Sequence, residues 1–211
     1  MPSEVPLATK WGDRDARRRD ILTAGAALLA DKGYAALQMR DVAKGAGISP
    51  GTIYTYFPTK EALFAELYAQ RLILLHNAIE PECVSAEDPV ALFVLVATEY
   101  LDVYRTYGRE LNIWSLLDHT GATASSAHTE ALTSAAHKVL AALHASLDRM
   151  YSARPEIERV DITSALTLLW ATITGLSDQF TGVRQHLHTH DWDAAAQFAA
   201  TTLTQGLGLR P

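Results

Sequence analysis

The chain has 211 residues, one cysteine and a formal charge of −6. That length can bury one large core or two smaller ones. The lone Cys83 excludes an internal disulfide and fits a reducing cytoplasm, and no long uninterrupted apolar run or basic-then-apolar leader marks a membrane span or secretion. The charge is uneven. Residues 1–72 hold ten Lys and Arg against eight Asp and Glu, whereas residues 73–211 hold eight against sixteen, so the basic balance that a phosphate-facing surface needs lies at the N-terminal end.

Residues 1–12, with Pro2 and Pro6, lack helical periodicity and read as a flexible arm. Lys10, Arg14, Arg17, Arg18 and Arg19 have two readings: reach to phosphates or a minor groove, or a solvated basic helix start. Ile21, Leu22, Leu28 and Leu29 space an amphipathic helix over residues 13–32, ended by Gly33. A second helix, residues 39–44, follows Gln38, a weaker N-cap than Ser or Thr.

The stretch AKGAGISPGTIYTYFPTK, residues 43–60, organises the rest. Gly45 and Gly47 break the second helix and Ser49-Pro50 restarts one, because Pro at the first helical position forfeits only an N–H that would be orphaned there. The new helix has about two turns before Pro58. Ile53 and Phe57, four apart, can anchor it to a core, which leaves its hydroxyl-bearing positions facing outward. A helix this short is not stable alone, and helix-turn-helix proteins present such a second helix to a DNA major groove.

The run GISPGTIYTYFPTKEAL, preceded by MRDVAKGAG and the amphipathic helix, resembles the DNA-binding end of the TetR family of bacterial transcriptional regulators. The resemblance is continuous over residues 14–72; beyond them only the helical layout matches. It implies an all-α fold with an N-terminal three-helix helix-turn-helix domain and a larger C-terminal domain for ligand binding and dimerisation. By residue, it implies base contacts from Arg40, Pro50, Gly51, Thr52 and Thr55, and phosphate contacts from Tyr54, Tyr56 and Lys60. Arg40 is the specificity candidate, since only a guanidinium among these can pair bidentately with a guanine edge. The family usually carries Thr or Ser where this chain has Gln38, which puts a phosphate contact from a capping hydroxyl in doubt.

Thr59 caps a longer helix with Leu63, Leu67 and Ile73 or Leu74 on its apolar side; by resemblance it joins the DNA-reading end to the ligand end. Residues 81–89, with Pro81, Pro89 and several acidic or small residues, are the clearest composition break. The expected organisation is an arm over residues 1–12, a DNA-binding domain with its connecting helix over 13–80, and a ligand-binding and dimerisation domain over 81–211.

In that second part Leu92, Phe93, Val96, Tyr100, Tyr104 and Tyr107 share one helical face, Leu111, Trp114 and Leu117 another, and Leu132, Val139, Leu143, Leu147 and Met150 a third. Residues 120–127 are small and polar and read as a loop. Phe93, Tyr100, Tyr104, Trp114, His137, His144, Trp170 and Thr174 lie on faces that could converge on a cavity for a largely apolar small molecule; each alone reads equally as core. Ile162, Leu166, Leu169, Ile173, Leu176, Phe180 and Val183 recur at steps of 4,3,4,3,4,3, and Trp192, Ala196, Ala199 and Leu203 at 4,3,4. Such stripes serve an internal core or a dimer interface. In the family two C-terminal helices from each chain pack as a four-helix interface, which favours the dimer.

The tract HLHTHDWD, with His186, His188, His190, Asp191 and Asp193, has imidazoles at alternating positions that suit a metal. No strand precedes it, and a solvated interhelical turn is the preferred reading. The expected protein is a cytoplasmic, homodimeric, ligand-responsive DNA-binding regulator, most simply a repressor of a palindromic operator, with no cofactor, metal, catalytic site or membrane partner. The competing readings are a metal-dependent helical enzyme built on the His/Asp tract and a helical adaptor without DNA binding.

Overall fold

The computed structural model describes residues 9–108 and 126–209, which contain helices and turns and no strand. They form two compact units; the first ends its main run at Leu67 and the second starts at Tyr68.

The first unit holds α1 (Thr9–Ala36), α2 (Met39–Gly45), α3 (Pro50–Tyr56) and the opening turns of α4 (Lys60–Ser85). Helix α1 is already formed at Thr9, ahead of the expected start at residue 13, because the breakers Pro2 and Pro6 lie upstream of it. Of the expected arm, residues 1–8 lie outside the described residues. The helical run breaks at Gly33, whose φ of 72° is left-handed and open to glycine at little cost. Gly47 turns the chain between α2 and α3 with φ 67°. Ile21, Leu29, Leu37, Val42, Ile53, Phe57 and Leu63 are buried in the core, at roughly 1.5–3 kcal/mol of hydrophobic stabilisation for each large side chain.

Helix α4 runs past Pro81 to Ser85, so the break expected over residues 81–89 narrows to residues 86–88. Exposed Pro81 sits between the buried anchors Ile79 and Cys83, which hold the helix through the one hydrogen bond proline removes. The buried stripe of α4 in the second unit is Tyr68, Leu72, Leu75, Ile79 and Cys83, with steps near 3.6, and Ile73 and Leu74 point outward.

The second unit adds α5 (Pro89–Tyr107), α6 (Ser126–Ser152) from Glu130 onward, α7 (Ile162–Phe180), a 3-10 turn (Gly182–Leu187) and α8 (Trp192–Gly206). Three of these starts are written in aspartate. Asp88 accepts from the Val90 and Ala91 N–H groups, Asp161 from Ser164 and Asp191 from Ala194, filling donors that a helix start leaves orphaned. Helix α5 packs on α7 and α8, and α7 packs on α8. Leu111, Trp114, Leu117 and residues 120–125 lie outside the described residues; residues 126 and 127, expected in a loop, begin α6.

Candidate nucleic-acid interface and ligand cavity

The chemistry of the first unit is concentrated on α3. Ser49 caps it, with Oγ accepting from the Thr52 N–H at 3.2 Å, and Pro50 occupies the first turn. Ile53 and Phe57 have no exposed surface, so the anchoring face is fixed and the opposite face is turned outward. Gly51, Thr55 and Tyr54, the last 53% exposed, lie on that face, and Thr52 and Tyr56 flank it half-buried. Tyr54 is therefore a surface residue and not a core tyrosine. The small hydroxyls are already engaged. Ser49 Oγ and Thr52 Oγ1 share a hydrogen bond of 2.7 Å, and Thr55 Oγ1 donates to the Thr52 carbonyl at 2.6 Å. This orientation commits the Thr55 proton within the helix and suits contact of its methyl group with a thymine methyl.

Arg40 on α2 has a side chain 75% exposed, with only a loose 3.8 Å approach to Asp41, so its guanidinium is available to a base edge. Gln38 precedes α2 and makes no side-chain cap. Lys60 is held more firmly: its ammonium lies 4.0 Å above the Tyr34 ring and donates to the Ala35 carbonyl at 3.5 Å. Tyr34 is itself fixed, donating to Glu61 at 2.9 Å and packing edge-on against Phe64. Arg18 is bound into the scaffold by a 2.9 Å ion pair with Glu66 and a position over Phe57, whereas Arg14, Arg17, Arg19 and Lys32 of α1 are more exposed.

In the second unit, Pro89, Leu92, Phe93 and Val96 of α5, Leu140, Leu143, Leu147 and Met150 of α6, and Leu166, Leu169, Trp170 and Ile173 of α7 enclose a cavity. Thr204, Leu207 and Leu209 complete it. It holds about 580 Å³ of non-atom space, part of it open to solvent. Its one polar wall residue, Thr204, already donates its hydroxyl to the Ala200 carbonyl at 2.7 Å.

Of the ligand residues expected from sequence, Phe93 and Trp170 line this cavity. Tyr100 packs on Trp170 with ring centroids 4.6 Å apart, and Thr174 lies beside the Tyr100 phenol. Tyr104 is drawn aside to donate to Asp178 at 3.1 Å. His137 and His144 are exposed: the buried stripe of α6 runs through Leu132, Ala135, Val139, Ser146, Leu147 and Met150, and two residues seven apart fall together on the far side of a helix. Trp114 lies outside the described residues. The aliphatic wall from α6 and the C-terminal leucines was not singled out from sequence. Its signal was the 3,4 spacing itself, which is the same for a filled core and a cavity.

Burial pushes the Tyr104 phenol up to about 12, with the bond to Asp178 adding to it, and pushes Tyr107 up to about 12. Burial likewise raises Tyr68 and Tyr100. These phenols keep their protons at neutral pH. Cys83 is raised to about 11 by burial, which suits an inert packed thiol better than a redox sensor.

The C-terminal stripe divides. Ile162, Ile173 and Ala196 are buried within the unit, and Leu166, Leu169 and Ile173 face the cavity. Leu176, Ala199 and Leu203 are half-buried. Phe180 packs edge-on to Trp192, whose indole N–H donates to Thr98 at 3.1 Å. The outward face instead carries Ser164, Leu168, Ala171 and Gly175 on α7, at steps of 4,3,4, and Phe198 and Thr202 on α8. Leu168 is 50% and Phe198 75% exposed.

In the tract at residues 186–193, His188 stacks on Phe180 and contacts Gln179, while Asp191 is used as a helix cap. Among the described residues no group of three His, Cys, Asp or Glu could hold a metal ion, and no helix is long and apolar enough to cross a membrane.

A two-turn helix anchored by its inner face and presenting Tyr54, Thr52 and Thr55 beside an exposed arginine defines a helix-turn-helix protein. Residues 21–67 match the family of bacterial regulatory proteins described as the tetR family. It is 41% identical over 56 residues to the HTH-type transcriptional repressor KstR2 of Mycobacterium tuberculosis, a match covering 26% of this chain and 28% of that protein. The chain thus spans little more than a quarter of the length of that relative. Two solved structures share the fold: FadR of Bacillus subtilis, in complex with stearoyl-CoA, and Salmonella enterica GusR. The first has a TM-score of 0.65 at 19% identity over 89% of this chain and 98% of that one. The second has a TM-score of 0.64 at 24% identity over 96% and 98%.

Proposed function

We propose that the protein is a homodimeric transcriptional repressor that holds a palindromic operator through α2 and α3 and lets go when a largely apolar small molecule enters the cavity of the second unit. The observation that carries the DNA-binding part is the exposure of Tyr54 and Arg40 around a helix whose other face, Ile53 and Phe57, is fully enclosed. Arg40 reads a guanine edge, Thr52 and Thr55 meet bases, with Pro50 and Gly51 permitting close approach, and Tyr54, Tyr56 and Lys60 bind phosphates. Dimerisation is assigned to the outward faces of α7 and α8, where Leu168 and Phe198 stand among small residues. A twofold dimer presents two copies of α3 about one helical turn of DNA apart, which requires a palindrome. The nearly all-apolar cavity wall supports an apolar effector, as does a fold neighbour bound to an acyl-CoA. To release DNA the effector must favour the non-binding arrangement by a few kcal/mol.

The test is binding of the purified protein to DNA upstream of its own gene at two salt concentrations, and to a randomised DNA library, with Arg40→Ala alongside. The expected result is a dimer on a palindrome, weakened as salt rises, with Arg40→Ala costing about 1–3 kcal/mol of discrimination at one base pair in each half-site. Failure to select any sequence from the library would sink the DNA-binding reading.

A further inference from the structure

The wall of the cavity changes in exposure from one side to the other. On α6, Leu140, Leu143, Leu147 and Met150 follow one face at steps of 3,4,3, and all four line the cavity. Leu140 is 38% exposed, Leu143 is half-buried, and Leu147 and Met150 fall to 7% and 2%. Helix α7 repeats the pattern, with Leu166, Leu169 and Trp170 half-buried and Ile173 buried. Every wall residue from α5 and from the C-terminal segment is buried, down to Leu209 with no exposed surface. The cavity therefore opens between α6 and α7 beside Leu140 and closes toward Met150, α5 and Leu209.

The two ends also differ in chemistry. No charged side chain lines the cavity, and its one wall hydroxyl, on Thr204, donates to the Ala200 carbonyl. An ion carried to the closed end would leave water with nothing to pair with. At the opening, exposed His137 and His144 stand about one turn before and after Leu140, so a polar group there keeps its water. A molecule that suits both ends is apolar along its length and polar at one tip. Only one orientation spares that tip its desolvation.

We infer that the cavity takes the tail of a single-chain amphiphile, which enters between α6 and α7 and leaves its head group in water beside Leu140. The inference rests on the apolar-effector reading above and deepens it: the tail carries the selection, and the charge of the head counts for little. The probes are the eight- and ten-carbon forms of an alcohol, a carboxylate and a trimethylammonium, titrated as monomers into the intact protein at pH 8 by calorimetry. The three ten-carbon probes should bind one per chain and within about tenfold of one another. Each should bind about tenfold more tightly than its eight-carbon form, the contribution of two buried methylene groups. Leu140→Glu places a charge at the opening, on a residue already exposed there. It should raise the affinity of decyltrimethylammonium relative to decanoate by roughly fivefold, as exposed ion pairs do, and Leu140→Lys should lower that ratio as much. A charged head that binds more than about tenfold more weakly than the alcohol, equal affinity of the two chain lengths, a ratio unmoved by the Leu140 variants, or no binding of any probe would overturn the inference. Operator release is scored separately in the same samples. Tail binding without release would overturn the effector reading and leave the ligand class and its orientation standing.

Discussion

The hydroxyls of α3 and those of α7 are held in opposite ways. On α3 the groups that would face DNA are exposed and yet already partnered: Ser49 with Thr52, and Thr55 with the Thr52 carbonyl; Lys60 nearby is seated on Tyr34. On α7, Ser177 is enclosed and has no hydrogen-bond partner among the described residues. An exposed surface can be set rigidly before its partner arrives, because water satisfies whatever the protein does not. An enclosed group has no such reserve, and leaving it unmet weighs on the folded state. The first arrangement leaves a preset surface at little cost, and the second lowers the stability of its own unit.

The strongest way to break this contrast is to remove the anchor beneath the preset surface. Phe57→Ala should destabilise the first unit by about 3–5 kcal/mol, as deletion of a buried aromatic does, and abolish DNA binding together with its thermal transition. A second unit that keeps its own thermal transition in that variant would show that the two units rest on separate cores. A smaller effect comes from raising the pH. Tyr104 and Tyr107 carry folded-state values of about 12 against 10 for the free phenol. Between those values the unfolded chain has lost protons the folded one keeps, so stability is complete below pH 10 and falls as the pH rises toward 12. The loss is on the order of 2 kcal/mol for each phenol, read by denaturant titration at pH 9, 10, 11 and 12. A flat profile would mean that these rings are wetter than their burial indicates. The mildest change is Ser49→Ala, which removes the cap of α3 and should cost about 1 kcal/mol, seen as weaker operator binding with ligand affinity unaltered.

The outward face of α3 was legible in sequence because its determinants are local. A Ser-Pro start, a left-handed Gly47 and an Ile-Phe pair four apart fix which side of a short helix turns outward, and the structure gives Ile53 and Phe57 that inward face. The cavity was legible only in outline. Aromatic and imidazole residues marked Phe93 and Trp170 correctly as wall, but His137 and His144 lie on the outer side of α6, since residue type carries no direction. The same limit applied to the 4,3 stripe of α7. Periodicity identified a buried face, and only the packing of α5 and α6 around it decided that Leu166, Leu169 and Ile173 face a cavity inside the protomer. The unpaired state of Ser177 has no sequence signature at all, because it depends on a bond not made.

The C-terminal end of α4 is closed by another helix. Arg149 of α6 donates to the Cys83 carbonyl at 2.6 Å and the Ala86 carbonyl at 2.9 Å, while the first turns of α4 belong to the other unit. A helix secured in this way does not melt as one piece. In hydrogen exchange its amides should separate into two populations near Tyr68, the later ones opening with the helix that carries Arg149 and the earlier ones with the core around Phe57. One continuous helix would thereby report on two independent unfolding clocks.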